Sequence, residues 1–146
     1  MRLDPIPRDG IPEATVLPEI AREVCGMMIA FYQEHGYEEP WTGYLAFEGD
    51  ECVGSCAFKT PPRERQVEIA YFTFPGNEGR GIATWMASQL AAIAFRQDLA
   101  TTVIAQTLPE ENASTRILSK LGFRMTGEID HPEDGRVWQW ELGGSA

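Results

Sequence analysis

The chain is poor in basic residues, in cysteine and histidine, and in long apolar runs, and each shortage excludes something. Twelve Lys and Arg stand against 22 Asp and Glu among 146 residues, a formal charge of −10, so no broad basic face is expected for neutralising nucleic-acid phosphates. No stretch approaches the roughly 18 consecutive apolar residues that a membrane-spanning helix needs. The first residues mix Arg2, Asp4, Arg8 and Asp9 with prolines, unlike the apolar core of a secretory signal. A cytoplasmic protein with no nucleic-acid or membrane partner is therefore expected. Cys25, Cys52 and Cys56 are an odd set without metal-ligand pairing, and each lies in a segment that reads as helix or strand. They are expected to be reduced and buried, with Cys52 and Cys56 on one strand face, and no metal is expected.

What is present suits one domain over residues 1–146, since 43% apolar composition at this length supports a single core. Residues 1–17, rich in Pro, Gly and charge, read as an extended lead-in with one short helical turn near Pro12 to Thr15. Pro18 suits the first turn of a helix in which Ile20, Val24, Met27, Met28 and Phe31 recur at helical spacing until His35-Gly36. Tyr44 to Phe47 and Cys52 to Lys59 flank Gly49-Asp50 as a hairpin, and Thr60 to Arg65 reads as a charged loop. Val67 to Phe74 is apolar on both faces except at Glu68, the pattern of a central strand. After Gly81 a helix carries Ala83, Met86, Ala87, Leu90, Ala91 and Ala94 on one face, and Thr101 to Thr107 is the next strand. A right-handed crossover makes those two strands parallel. Asn112 is a candidate N-cap for a helix through Leu121, with Gly122 ending it. Phe123 to Ile129 and Arg136 to Leu142 pair around the loop His131 to Gly135. The fold class is α/β (α+β): one mixed sheet with helices on both faces.

The most informative segment is the junction where this central strand runs into Pro75-Gly76-Asn77-Glu78-Gly79-Arg80-Gly81-Ile82-Ala83-Thr84 and opens a helix. A phosphate loop of the NTPase kind needs Lys and then Ser or Thr after its last glycine, where Ile82 and Ala83 stand. A dinucleotide fingerprint starting at Gly79 needs Gly or Ala at Thr84 and an acidic residue ending the next strand, and has neither. Two readings remain: amides from Glu78 to Ala83 cradling a pyrophosphate at the positive end of a helix, or a turn whose glycines serve backbone angles alone.

Two segments together resemble the GNAT family of acetyl-CoA-dependent N-acetyltransferases. Glu68-Ile69-Ala70-Tyr71 matches the family's strand, Pro75 its terminating proline, and Gly81 and Ala83 the glycine and small residue of its [Q/R]-x-x-G-x-[G/A] signature, with Glu78 at the first position. Asn112 to Phe123 is similar to the family's second half, closest to the branch related to ribosomal-protein N-terminal acetyltransferases; the resemblance covers roughly residues 42 to 142.

The resemblance implies a centrally splayed sheet and acetyl-CoA as co-substrate, without metal. Backbone groups at Phe72, Thr73 and Phe74 would hold the pantetheine arm, and Glu78, Gly79, Arg80, Gly81, Ile82, Ala83 and Thr84 the pyrophosphate; Asn112 would assist the cofactor or cap its helix. The reaction implied is direct attack by an amine. Glu68 is the candidate base, with a structural salt bridge as its alternative role. The family's acid, a tyrosine, is replaced by Leu118, which leaves Ser119 as a candidate partner for the sulfur. Polarisation of the thioester carbonyl by a backbone N–H near Phe72 is a further source of rate. Glu38 or Glu39, Trp41 and Tyr44 would form an aromatic, acidic mouth for a cationic amine. Trp85, Trp138 and Trp140 are expected to serve packing, His35 to end its helix, and His131 to lie in an exposed loop. The acceptor implied is a protein or peptide N-terminus, with a small amine or amino-acid derivative as alternative and a non-catalytic acyl-CoA-binding module as a third reading. A homodimer is left open.

Overall fold

The computed structural model of the chain describes residues 1–11 and 15–143, so residues 12–14 of the expected short helical turn lie outside the described residues. Its elements are β1 (Arg2–Pro5), α1 (Glu19–His35), β2 (Gly43–Glu48), β3 (Glu51–Phe58), β4 (Gln66–Thr73), α2 (Ile82–Gln97), β5 (Thr102–Thr107), α3 (Ala113–Lys120), β6 (Arg124–His131) and β7 (Gly135–Gly143). They build one seven-stranded sheet in the order β1-β2-β3-β4-β5-β7-β6. Only β4 and β5 are parallel, because α2 carries the chain back across the sheet between them. Among the described residues no helix is long and apolar enough to cross a membrane.

The extended lead-in includes a paired strand that the sequence did not reveal. Arg2 to Pro5 lies antiparallel to β2, from Arg2 opposite Phe47 to Pro5 opposite Tyr44. This is an edge strand, where a proline's missing N–H costs nothing, and the following Ile6 is fully buried beneath α1.

Each face of the sheet has its own core. Ala21, Cys25 and Tyr32 of α1 pack with Ile6, Leu45, Phe47, Cys52 and Phe74 on one face. On the other, Met86, Ala87, Leu90 and Ala94 of α2 and Leu118 of α3 meet Val53, Cys56, Val67, Ile69, Val103 and Trp140. Cys52 and Cys56 therefore lie on opposite faces, contrary to the alternation of a regular strand. The cause is a bulge: Ala46 pairs with Gly54 but Phe47 with Cys52, leaving Val53 as an extra residue that switches the faces. At Gly54 an added Cβ would stand 2.8 Å from the Phe72 carbonyl oxygen and 3.1 Å from Met86 Cε. Glycine is what lets β4 and α2 close on β3 there.

The sheet splits along its parallel seam. Pairing of β4 with β5 covers only Gln66–Thr102, Val67–Val103 and Glu68–Ile104. Beyond that point β4 stays with β3 as far as Thr73 opposite Gly54, while β5 stays with β7 as far as Thr107 opposite Trp138. The cleft that opens lies beyond the carboxyl ends of two parallel strands, where α/β sheets bind ligands.

Candidate active site

One wall of the cleft is bare backbone. The Phe74 N–H donates to the Val53 carbonyl and the Glu68 carbonyl accepts from the Lys59 N–H, both at 2.9 Å, so the even-numbered residues of β4 hydrogen-bond towards β3. Since backbone groups alternate sides along a strand, those of Tyr71 and Thr73 face the split, past the last pairing with β5. The Phe72 and Phe74 backbone groups, expected to hold a pantetheine arm, are thus turned towards β3 and not towards the split. Pairing of β4 with β3 runs without a bulge from Ile69 opposite Phe58 to Thr73 opposite Gly54, so nothing turns the even residues outward. The backbone N–H groups that face the split are for the same reason those of Tyr71 and Thr73, not that of Phe72. The Phe74 ring is buried under α1, and that of Phe72 is 45% exposed on the same face.

The cleft opens into a groove of about 440 Å³ between the turn before α2 and the side of α3. Thr73, Glu78, Gly79, Gly81, Ile82, Ala83 and Thr84 line it, joined by Ala113, Arg116, Ile117 and Lys120. Gly79 and Gly81 have φ of 78° and 76°, a region that side-chain-bearing residues rarely enter. Gly81 stands at the N-cap with no side chain capping the helix, so the first N–H groups of α2 are left for an anion. The Glu78 carboxylate also lines the groove, its Oε1 accepting the Gly76 N–H at 3.0 Å. The Arg80 side chain is turned away from the groove, its guanidinium donating to Asn77 Oδ1 at 2.7 Å and Glu48 Oε2 at 2.6 Å.

The groove's cationic side chains, Arg116 and Lys120, were missed by sequence reasoning. They lie on one face of α3 with Ala113 and Ile117, a spacing visible in the sequence once that helix is drawn. Asn112 does not line the groove. Its Oδ1 accepts the Thr115 N–H at 3.1 Å while Thr115 Oγ1 accepts the Asn112 N–H at 2.9 Å, a reciprocal capping box. Ser119 is also placed elsewhere, beside Trp138 and Trp140 in a separate hollow, and Leu118 is fully buried.

Two polar side chains of β4 flank the split on opposite faces. Glu68, in the last pair with β5, projects to the α1 side and is a quarter exposed. Lys59 Nζ stands 2.7 Å from its Oε2, which is shielded from solvent and has no aligned hydrogen-bond donor. Tyr71 projects to the α2 side, and its hydroxyl meets Ser114 Oγ of α3 at 3.3 Å. Burial pushes the Tyr71 phenol above its ordinary pKa, with the Ser114 hydrogen bond acting the other way. Among the described residues no three His, Cys, Asp or Glu side chains converge on a metal position.

The sequence profile described as "Acetyltransferase (GNAT) domain" matches residues 11–124. The chain belongs to the GNAT acetyltransferase family. No protein of curated function matches it in sequence. Among solved structures it is similar to Mycobacterium smegmatis RimJ in complex with CoA-disulfide, with 21% identity, a TM-score of 0.67 and coverage of 84% of this chain and 60% of that one. The GNAT chain thus spans less than two thirds of that relative's length. A chimera of spermidine N-acetyltransferase SpeG from Vibrio cholerae and hSSAT has 13% identity and a TM-score of 0.71, covering 97% of this chain and 95% of the other. YncA of Salmonella typhimurium with acetyl-CoA has 19% identity and a TM-score of 0.62, covering 89% and 79%.

The residues expected to form an acceptor mouth in this GNAT chain separate. Tyr44 is buried in the core, its hydroxyl donating to the Pro40 carbonyl at 2.6 Å, so it does not line a mouth. Trp41 stands edge-on to Phe58 with ring centroids 5.0 Å apart. With Glu38, Phe31, Tyr37, Lys59 and Arg63 it lines a pocket of about 260 Å³ at the carboxyl end of α1. Glu39 lies outside that lining; its carboxylate accepts from the Tyr37 hydroxyl at 2.7 Å, which pushes that phenol up to about 12. Lys59 joins this pocket to Glu68. A smaller hollow of about 120 Å³, lined by Ile6, Val24, Met28, Ala70, Tyr71 and Phe72 among others, lies on the α1 face over β3 and β4, beside the split. His131 Nδ1 accepts the N–H groups of Glu133 and Asp134 in the β6–β7 turn. His35 lies at the carboxyl end of α1 against Phe31. Trp140 is buried and donates from Nε1 to Thr107 Oγ1 at 3.1 Å, and Trp85 and Trp138 pack partly buried against the same core.

Proposed function

We propose that the chain is an acetyl-CoA-dependent N-acetyltransferase that acetylates the N-terminal amine of a protein or peptide. The observation that carries the transferase reading is the split between β4 and β5, which leads into a groove closed by the uncapped start of α2. Acetyl-CoA supplies an activated thioester. The first amides of α2, with Arg116 and Lys120, hold its phosphates, and the outward backbone groups of Tyr71 and Thr73 align its pantetheine arm. An N–H at Tyr71 or Thr73 polarises the thioester carbonyl.

The acceptor reaches the carbonyl from the α1 face. Ala70 and Phe72 are exposed there, and an open strand surface of this kind suits the end of an extended chain. Only a neutral amine attacks, so a proton must leave it; Glu68, projecting to this face at the apex of the split, accepts it. Lys59 keeps the carboxylate paired in the resting protein. A small amine is the second reading, favoured by the aromatic pocket around Trp41, whose 260 Å³ suits a compact ligand.

Thiol release from acetyl-CoA, measured with N-terminal peptides and with small amines, tests these readings. Peptides are expected to turn over with the higher kcat/KM. Preference for small amines transfers the assignment to the second reading, and CoA binding with no release for any acceptor leaves the non-catalytic module. In the active case Glu68→Gln is expected to lower kcat by about 10²-fold and to change the pH–rate profile, with KM for acetyl-CoA nearly constant. An unaltered rate and profile would make Glu68 a structural ion-pair partner.

A further inference from the structure

The reaction just proposed leaves a sulfur that must be protonated, and the side chains first considered for this are badly placed. Leu118 is apolar and fully buried, and Ser119 faces Trp138 and Trp140 rather than the groove. Another hydroxyl does lie at the split. Tyr71 stands three residues past Glu68, on the same face of β4 as Thr73, which lines the groove. Its hydroxyl crosses to Ser114 at the start of α3, next to Ala113 of the groove wall. Tyr71 also borders the hollow on the opposite, α1 face. It therefore sits between the phosphate end of the groove and the apex of the split, where the thioester end of the cofactor must reach to meet an amine arriving from the α1 side.

We propose that Tyr71, oriented by Ser114, is the catalytic acid that protonates the departing coenzyme A sulfur. The inference rests on the transferase reading above. Glu68 and Tyr71 lie on opposite faces of one strand, about 10 Å apart along its axis for three residues, too far for both to touch one reacting centre, so Tyr71 meets the sulfur directly and the amine's proton reaches Glu68 through water. As the new C–N bond replaces the C–S bond, the C–S electron pair goes to sulfur. The Tyr71 proton follows it, giving the free thiol. The tyrosinate is held by the Ser114 O–H until a proton returns from solvent. Burial keeps the phenol protonated in the resting protein, as an acid requires.

The test compares wild type, Tyr71→Phe and Ser114→Ala, using acetyl-CoA and the best acceptor, with acetyl-CoA affinity measured by calorimetry. Tyr71→Phe is expected to lower kcat by about 10²-fold, with acetyl-CoA affinity within about twofold of wild type. The loss should shrink when acetyl-CoA is replaced by an acetyl thioester of a more acidic aryl thiol, because such a leaving group needs no acid. Ser114→Ala is expected to lose several-fold in kcat and to shift any alkaline limb of the pH–rate profile upward, since the bond that stabilises tyrosinate is gone. It serves as the second variant if Tyr71→Phe fails to fold. A Tyr71→Phe rate equal to wild type, a loss confined to KM, or an equal loss with both thioesters overturns the proposal while leaving the transferase reading intact. Wild-type protein that binds CoA but releases no thiol overturns both.

Discussion

Cys52 and Cys56 are four residues apart in β3 and buried on opposite faces, and burial raises both thiols, Cys52 to about 11 and Cys56 further. The unfolded chain gives up these protons near the ordinary thiol value of 9.0, whereas the folded protein keeps them. The native state then binds more protons, so this contribution is fully present below pH 9 and is lost as pH rises towards about 11. Each thiol steepens the fall by up to about 1.4 kcal/mol per pH unit. Urea midpoints at successive alkaline pH values should fall less steeply for Cys52→Ala than for wild type; equal slopes would remove the thiol from the account. Other residue-scale facts were hidden from the sequence because they join distant positions. The isolated carboxylate of Glu68 in an apolar strand was legible. Its Lys59 partner was not, nor was the Arg80–Glu48 ion pair that takes Arg80 out of the groove. Which of β4's backbone groups face the split was not legible either, because strand parity depends on the partner's register: Tyr71 and Thr73 face it, Phe72 and Phe74 do not.

At the scale of elements, local signals did well where they were strong. The helix span of α1, the glycine turn before α2 and the Asn112 cap of α3 stand where the sequence places them, but the stripe expected on α1 is displaced: Met27 is 72% exposed and Phe31 36%, while Ala21, Cys25 and Tyr32 are the buried residues. β1 escaped because four residues carry too little period to be told from a lead-in. The turn from Arg63 to Gln66 escaped because Glu64 and Arg65 adopt positive φ without the glycine or asparagine that marks such turns. Of the two roles expected of Asn112, the structure displays the capping one. Loss of its capping box in Asn112→Ala should cost about 1 kcal/mol of stability and weaken acetyl-CoA binding indirectly, because α3 carries Arg116 and Lys120. Asn112→Ser and Asn112→Asp keep a capping oxygen and should restore both in urea unfolding and calorimetry. Restored stability without restored affinity would instead place the side chain against the cofactor.

At the scale of the whole molecule, the proposed function requires a protein of formal charge −10 to receive a polyanionic co-substrate. On that proposal the excess acid repels it at long range, within a Debye length of about 10 Å at 0.1 M salt, while the groove would attract it locally through the α2 amides, Arg116 and Lys120. These terms have opposite signs and different ranges, so they can be separated. Replacing Arg116 and Lys120 together by alanine takes the formal charge from −10 to −12, a loss of two positive charges. It removes most of the side-chain attraction and leaves the repulsion. The double variant should show KM for acetyl-CoA raised by about tenfold at physiological ionic strength, with kcat within about twofold, the pattern of lost uniform binding. Added salt, from about 0.02 to about 0.3 M, should then lower its KM by screening the remaining repulsion, while the wild-type KM falls less or rises as its local ion pairs are screened. Steady-state kinetics across that range decides the matter. A variant whose KM responds to salt as wild type does would mean that the α2 amides alone govern phosphate binding.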